Sequence, residues 1–148
     1  MRVSALPAAW LVLLATLIPA FTSAAAPPAL SAQDAWVRVT PGVDVAAAYL
    51  TLHNGGTQPV VVTGVSSPLA GAAMIHESTL VNGQSTMRAH EPLRIAPGET
   101  VRFAPGGLHI MLMLKRPLAP GDEVPLVLQL EGGASLEVTA RVRALGDS

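Results

Sequence analysis

Short apolar runs separated by turn residues fill the chain from residue 35 to residue 142. The run 60–65 is mostly β-branched, and the alternating segment 35–39 stops at the turn signal Pro41-Gly42. Asn82-Gly83, between two further runs, is the strongest short hairpin signal. About nine such segments follow one another at fairly even intervals, and none has a sustained helical period. The pattern predicts an all-β, single-domain sandwich of about eight to nine strands.

The first residues differ in composition from the rest of the chain. A positive charge at Arg2 precedes an almost unbroken apolar run over 8–21, and small residues occupy 22–26. This order is typical of a secretory signal peptide. The apolar run is shorter than the roughly 20 residues that a membrane span needs. We therefore expect a signal peptide over 1–25, cleaved near residue 24 or 25, and an exported domain over 26–148 that is not stably inserted in the membrane.

The composition narrows the classes of function. The chain carries 9 Lys and Arg against 10 Asp and Glu, and only 3% of its residues are aromatic. Nucleic-acid binding depends on basic residues for the phosphates and often on aromatic rings for the bases, so we expect no nucleic-acid partner. No Ser-His-Asp pattern, carboxylate pair or phosphate-binding loop stands out, so we expect that the protein is not an enzyme. We also expect it to be a monomer.

The chain contains no cysteine. The domain must therefore be stable without the disulfides that are common in exported proteins, and we expect no lipid-modified cysteine after the signal peptide. Cysteine-based zinc sites and blue-copper centres are excluded as well, because both need a thiolate. Any metal site has to use other donors.

Four other metal donors stand at a defined spacing. Ten residues separate His76 from Met87, and twenty-one separate Met87 from His109. Met111 follows at His-x-Met spacing, on the same face of its strand as His109 because side chains alternate. The Asn82-Gly83 hairpin places Met87 on the strand beside that of His76. Thioether and imidazole donors without thiolate favour copper, above all Cu(I).

Each of these side chains also has an ordinary alternative role. A methionine in a strand is usually a gap-filling core residue, and a lone histidine is usually solvated or satisfied within the fold. We accordingly favour core packing over a role as spare thioethers for Met74 and Met113. For His90 we favour a solvated position over a role in copper capture, and we predict a solvated position at a strand end for His53. The set of four favours a metal site because both residue types are scarce, with 4 His and 5 Met in the chain.

The segments around these donors carry a family resemblance. They include Ala35-Trp36-Val37-Arg38, Ala48-Tyr49-Leu50, Ile75-His76-Glu77, Ala96-Pro97-Gly98 and 105–113, which reads PGGLHIMLM. With these segments and the spacing of its four donors, the chain resembles the periplasmic copper chaperone family of bacteria, which is associated with assembly of cytochrome c oxidase. The resemblance covers 36–142, nearly all of the expected mature chain.

The resemblance implies a cupredoxin-like Greek-key β-sandwich that binds one Cu(I) near its surface through His76, Met87, His109 and Met111. It also implies delivery of copper to a partner, either an oxidase subunit that acquires a dinuclear copper centre or another copper chaperone. Some relatives add a Cu(II) site on a His- and Met-rich tail, but 143–148 contains neither residue type, so we expect one site. Glu77 stands where the family motif sometimes has Met, and we expect its carboxylate near the rim of the site.

Two other interpretations remain open from the sequence. The protein could buffer copper in the envelope without a specific acceptor. It could instead be a metal-free, Ig-like interaction module, in which the four donors are ordinary core and surface residues.

Overall fold

The computed structural model describes residues 29–144 and residue 146. The predicted signal peptide over 1–25 and its cleavage point lie outside the described residues. The described part folds into strands joined by turns, which confirms the predicted all-β class. None of the described residues belongs to a helix long and apolar enough to cross a membrane. The strands are β1 (Leu30–Val39), β2 (Val45–Asn54), β3 (Val60–Ser66), β4 (Ala70–Val81), β5 (Gln84–Ala89), β6 (Leu93–Ile95), β7 (Thr100–Arg102), β8 (Leu108–Leu114), β9 (Glu123–Leu130) and β10 (Ser135–Arg143).

The strands pair in the order β5-β4-β8-β2-β1-β10-β9-β3-β6, and β7 pairs separately with β2. β1 lies in the middle, antiparallel to β2 and parallel to β10. Buried side chains from both ends of this order belong to one hydrophobic core, so the sheet closes over itself as a sandwich. The described residues form ten strands, close to the eight to nine predicted, and two of them, β6 and β7, have only 3 residues each.

One face of β2, β4 and β8 fills the core. Ile75 on β4 and Ile110 and Leu112 on β8 are fully buried, and Leu50 and Leu52 on β2 are 2% and 0% exposed. Because side chains alternate along a strand, the residues between these positions point to the opposite face. The three strands therefore present a second, outward face that the core does not use, and it is called the outer face below.

The β4–β5 hairpin has the turn that its sequence predicts. Asn82 and Gly83 adopt φ angles of 51° and 79°, the two positive values that a type I′ turn requires. Glycine takes such an angle without a steric penalty, and asparagine tolerates it better than most residues. The tight turn sets the register of the hairpin, in which Val81 is paired with Gln84 and Ser78 with Met87.

The burial of Leu52 gives a stability prediction with a matched control. Leu52→Ala removes a side chain that is 0% exposed and should lower the free energy of unfolding by about 2–5 kcal/mol, because it leaves a cavity. Leu80→Ala makes the same chemical change at a position that is 78% exposed and should stay within about 0.5 kcal/mol of wild type. Urea unfolding of the three proteins measures both values, and similar losses in the two variants would contradict this assignment of the core.

Candidate metal centre

The pairing of β4 with β8 brings the two predicted histidines together. His76 and His109 are directly opposed in this antiparallel pair, and Met74 and Met111 are opposed two positions further along. Opposed side chains share one face of a sheet, and Ile75 and Ile110 occupy the core face between them. Both histidines and Met111 therefore lie on the outer face.

Met87 reaches this group from β5, the strand at the edge of the sheet. Its backbone partner on β4 is Ser78, so Met87 approaches His76 diagonally across the hairpin. The Sδ atom of Met87 lies 3.2 Å from Nδ1 of His76. Met87 is 55% exposed, which makes it the most accessible of the four predicted donors.

His109 is held in one orientation by the backbone. The residue is only 7% exposed, and Nδ1 lies 3.1 Å from the carbonyl oxygen of Gly107. Since a carbonyl can only accept, Nδ1 carries the proton and donates it. The Nε2 lone pair is then free for a metal. Metal-binding histidines commonly fix their second ring nitrogen through such a contact.

The two imidazole rings are close enough to serve one ion. Their centroids are 5.9 Å apart and the ring planes are perpendicular. With metal bonds of about 2.0 Å to nitrogen and about 2.3 Å to sulfur, as in zinc sites, two donors of one ion lie roughly 3–4 Å apart. The 3.2 Å between His76 Nδ1 and Met87 Sδ falls in that range. The donor set and its spacing thus suit a small, soft cation.

Methionine is needed for any such site. Within the described residues, no group of three or more His, Cys, Asp or Glu side chains could hold a metal ion. The two histidines supply only two donors, and a third must be a thioether. This composition favours Cu(I) over zinc or calcium, because thioether sulfur is a soft ligand.

An open cavity of about 170 Å³ leads to the centre. Three of the four predicted donors line it, and His76 joins them through its contact with Met87. The small side chain of Ala47, which is opposite Met111, helps leave this space. The lining residues are Arg38, Thr40, Val45, Ala46, Ala47, Met87, His109 and Met111.

Arg38 also lines this site, which was not predicted from the sequence. Its guanidinium carbon lies 5.5 Å from the ring centroid of Trp36 and 5.7 Å from that of Tyr49, within the range of a cation–π interaction. The two rings pack at a tilt of 37° with centroids 4.6 Å apart, and Arg143 lies over Trp36 at 4.9 Å. The sequence does show that Trp36 and Arg38 share one face of a strand, because they are two residues apart. It does not show which neighbouring strand lies beside that face.

Two predictions about methionine are wrong. Met74 and Met113 were expected in the core, but both alternate with core residues and lie on the outer face beside Met111. Met113 is 47% exposed. The errors arose because 72–75 of β4 and 110–114 of β8 are apolar on both faces, so these segments do not reveal which face is inside.

Glu77 does not lie at the rim of the site as expected. It points away from His76 because the two are adjacent in a strand, and its Oε2 atom lies 3.2 Å from Nδ1 of His90. The His90 side chain is 40% exposed, in agreement with its predicted solvated position. His53 lies at the end of β2 that is away from the site, and its Nδ1 atom is 2.9 Å from the hydroxyl oxygen of Thr100.

Comparison with known proteins places this architecture in a family. Residues 30–142 match the family model LpqE-like, described as "Putative lipoprotein LpqE-like". The chain belongs to the LpqE-like family. A curated protein of Leifsonia xyli subsp. xyli, also named "Putative lipoprotein", is 37% identical over 111 residues, which are 74% of this chain and 66% of that protein. The chain thus matches just under two thirds of that relative's length.

Solved structures show the same fold. The structure titled CuI-DR1885 from Deinococcus radiodurans is 35% identical, with a TM-score of 0.64 over 82% of this chain and 83% of that one. A copper-bound PCuAC domain from PmoF2 has a TM-score of 0.65 at 21% identity, over 79% of this chain and 94% of that domain, and shows the fold alone. These matches confirm the cupredoxin-like β-sandwich and the resemblance to the periplasmic copper chaperone family.

The stability of the protein should depend on pH through Tyr49. Burial raises the pKa of its hydroxyl, while nearby Arg38 acts in the opposite direction. The raised pKa means that the folded state holds the phenol proton more tightly than the unfolded state. Stability from this group should be fully present below the ordinary tyrosine pKa of about 10 and lost as pH rises through the higher, folded value.

Tyrosinate absorbance measures this directly, because the chain has 1 Tyr. We expect its midpoint in the folded protein to lie above that of the urea-unfolded chain. Unfolding experiments on wild type and Tyr49→Phe separate this effect from the deprotonation of other residues, since the variant should lose less stability at high pH. Equal midpoints in the folded and unfolded protein would contradict the prediction.

Proposed function

We propose that this protein is a copper carrier that binds one Cu(I) ion through His76, Met87, His109 and Met111 and delivers it to a protein partner. The observation that carries the proposal is the 3.2 Å contact between His76 Nδ1 and Met87 Sδ, on the same outer face as His109 and Met111. Neither the hairpin turn nor the packing of the core requires these four side chains to lie close together. A shared ion gives them a common role.

The donor set suits Cu(I) in particular. Two thioethers are soft ligands that favour the monovalent ion, and two neutral imidazoles complete the set. Arg38 lines the same cavity, and its permanent positive charge opposes a divalent ion more strongly than a monovalent one. The Cu(I)-bound Deinococcus structure, 35% identical to this chain, supports the assignment of copper.

The position of the centre suits a carrier better than an enzyme. Met87 is on an edge strand and 55% exposed, so one ligand can leave and be replaced by a donor from another protein. His109 is buried and held by Gly107, so the protein retains a fixed ligand during exchange. A redox enzyme would have to stabilise Cu(II) as well, which two thioethers disfavour.

The place of action follows from the predicted export signal. A signal peptide over 1–25 would send the domain to the periplasm, where a copper-accepting oxidase subunit or another copper chaperone could receive the ion. The dinuclear copper centre of cytochrome c oxidase is the acceptor that we propose. Envelope copper buffering without a specific acceptor is the alternative that the experiments must separate.

Met111→Leu tests the ligand set. The exchange conserves volume and should cost less than about 1.5 kcal/mol of stability. It removes a thioether, so Cu(I) affinity should fall by at least about tenfold, since even residues that only support metal ligands are worth about 10- to 100-fold. Competition with a chromophoric Cu(I) chelator under anaerobic, reducing conditions measures the affinity.

His53→Ala is the matched control for this measurement, because it removes an imidazole that contacts Thr100 instead of the site. Its Cu(I) affinity should equal that of wild type. Wild-type affinity in Met111→Leu would remove Met111 from the ligand set, and no tight Cu(I) binding by the wild-type protein would overturn the proposed function.

Copper delivery distinguishes a chaperone from a buffer. The Cu(I)-loaded protein is mixed with the soluble copper-binding domain of an oxidase subunit, and net transfer is followed over time. Direct transfer requires a complex of the two proteins, so we expect the rate to rise with acceptor concentration. A buffer releases its ion first, and a rate independent of acceptor concentration would favour that alternative.

A further inference from the structure

Two thioethers on the outer face are not used by the proposed centre. Met74 on β4 is directly opposite Met111 on β8. Met113 is two residues beyond Met111 on the same strand and face. Every methionine within the described residues therefore lies on this one face, and four thioethers cluster where the sheet has no core to fill.

Packing does not account for the position of Met113. Methionine is common in cores because it fills irregular gaps, but Met113 is 47% exposed and the core positions beside it belong to Leu112 and Ile110. Its neighbours across the two flanking strands are Ala72 on β4 and Val45 on β2. These small side chains do not enclose Met113, so its sulfur remains accessible.

The sheet geometry brings three of these sulfurs within reach of one ion. Opposed residues such as Met74 and Met111 have Cβ atoms about 4.5–5.5 Å apart. Met111 and Met113 are separated by roughly 7 Å along their strand, and Met74 and Met113 are diagonal neighbours at about 7–8 Å. Long, flexible methionine side chains can span half of each distance and meet between the strands.

We propose that Met74, Met111 and Met113 form a second Cu(I) position, an all-thioether capture site beside the centre that contains the histidines. The proposal rests on the proposed function in one respect, that Met111 belongs to both positions. Because Met111 is shared, only one position is filled at a time. An ion taken up by the exposed Met113 can pass to His76 and His109 by exchange of ligands, and copper remains Cu(I) throughout.

A variant without the two imidazoles isolates the capture site. His76→Ala combined with His109→Leu removes both nitrogen ligands, and leucine fills the buried position of His109. We expect this variant to bind one Cu(I) ion more weakly than wild type under anaerobic, reducing conditions. With methyl-13C-labelled methionine, the methyl resonances of Met74, Met111 and Met113 should shift when Cu(I) is added, and that of Met87 should not.

Two substitutions in this background provide the matched comparison. Met113→Leu should weaken Cu(I) binding by at least about tenfold because it removes one of three ligands. His90→Ala removes an exposed imidazole that pairs with Glu77 outside the capture site, and it should leave the affinity unchanged. Absence of Cu(I) binding in the double-histidine variant, or equal effects of the two substitutions, would overturn the capture site.

The outcomes also separate this inference from the proposed function. If wild type binds Cu(I) tightly and the double-histidine variant does not bind it, only the capture site is contradicted. Binding of equal strength in both proteins removes the histidines from the carrier centre instead. If loss of His109 prevents folding, His76→Ala with Met87→Leu replaces two side chains at the surface, and Met113→Leu should again weaken binding while His90→Ala should not.

Discussion

The antiparallel pairing of β4 with β8 is the constraint on which the candidate metal centre depends. It opposes His76 to His109 and Met74 to Met111 while Ile75 and Ile110 stay in the core. A shift of one residue would turn every donor on the shifted strand toward the opposite face. The aliphatic core therefore specifies the chemistry of the outer face, because the burial that stabilises the sandwich also selects the register.

The core face of these strands contributes stability, and the outer face carries the candidate metal site. The core face is aliphatic and almost completely buried, whereas the outer face contains imidazoles, thioethers and small alanines around an open cavity. The proposed centre also combines a buried ligand with an exposed one. His109 is buried and held by a backbone carbonyl, and Met87 is exposed on an edge strand. Such a combination can hold an ion and still exchange it.

Much of the local structure could be predicted from the sequence, because it follows from short-range rules. The Asn82-Gly83 turn, the strand runs and the shared face of His109 and Met111 needed only turn chemistry and alternation. The faces of Met74 and Met113 could not be predicted, since the segments of β4 and β8 around them are apolar on both sides. The role of Arg38 was equally hidden, because its approach to the cavity depends on the pairing of β1 with β2.

The sequence by itself determined the all-β class, the absence of thiolate chemistry and the identity and spacing of four soft donors, since these depend on residue types and local order. Only the tertiary structure decided that His76 contacts Met87 diagonally, that Gly107 orients His109 and that Glu77 faces away toward His90. Those features arise from contacts between strands. Their register is selected by burial over the whole sandwich, which no single segment of sequence contains.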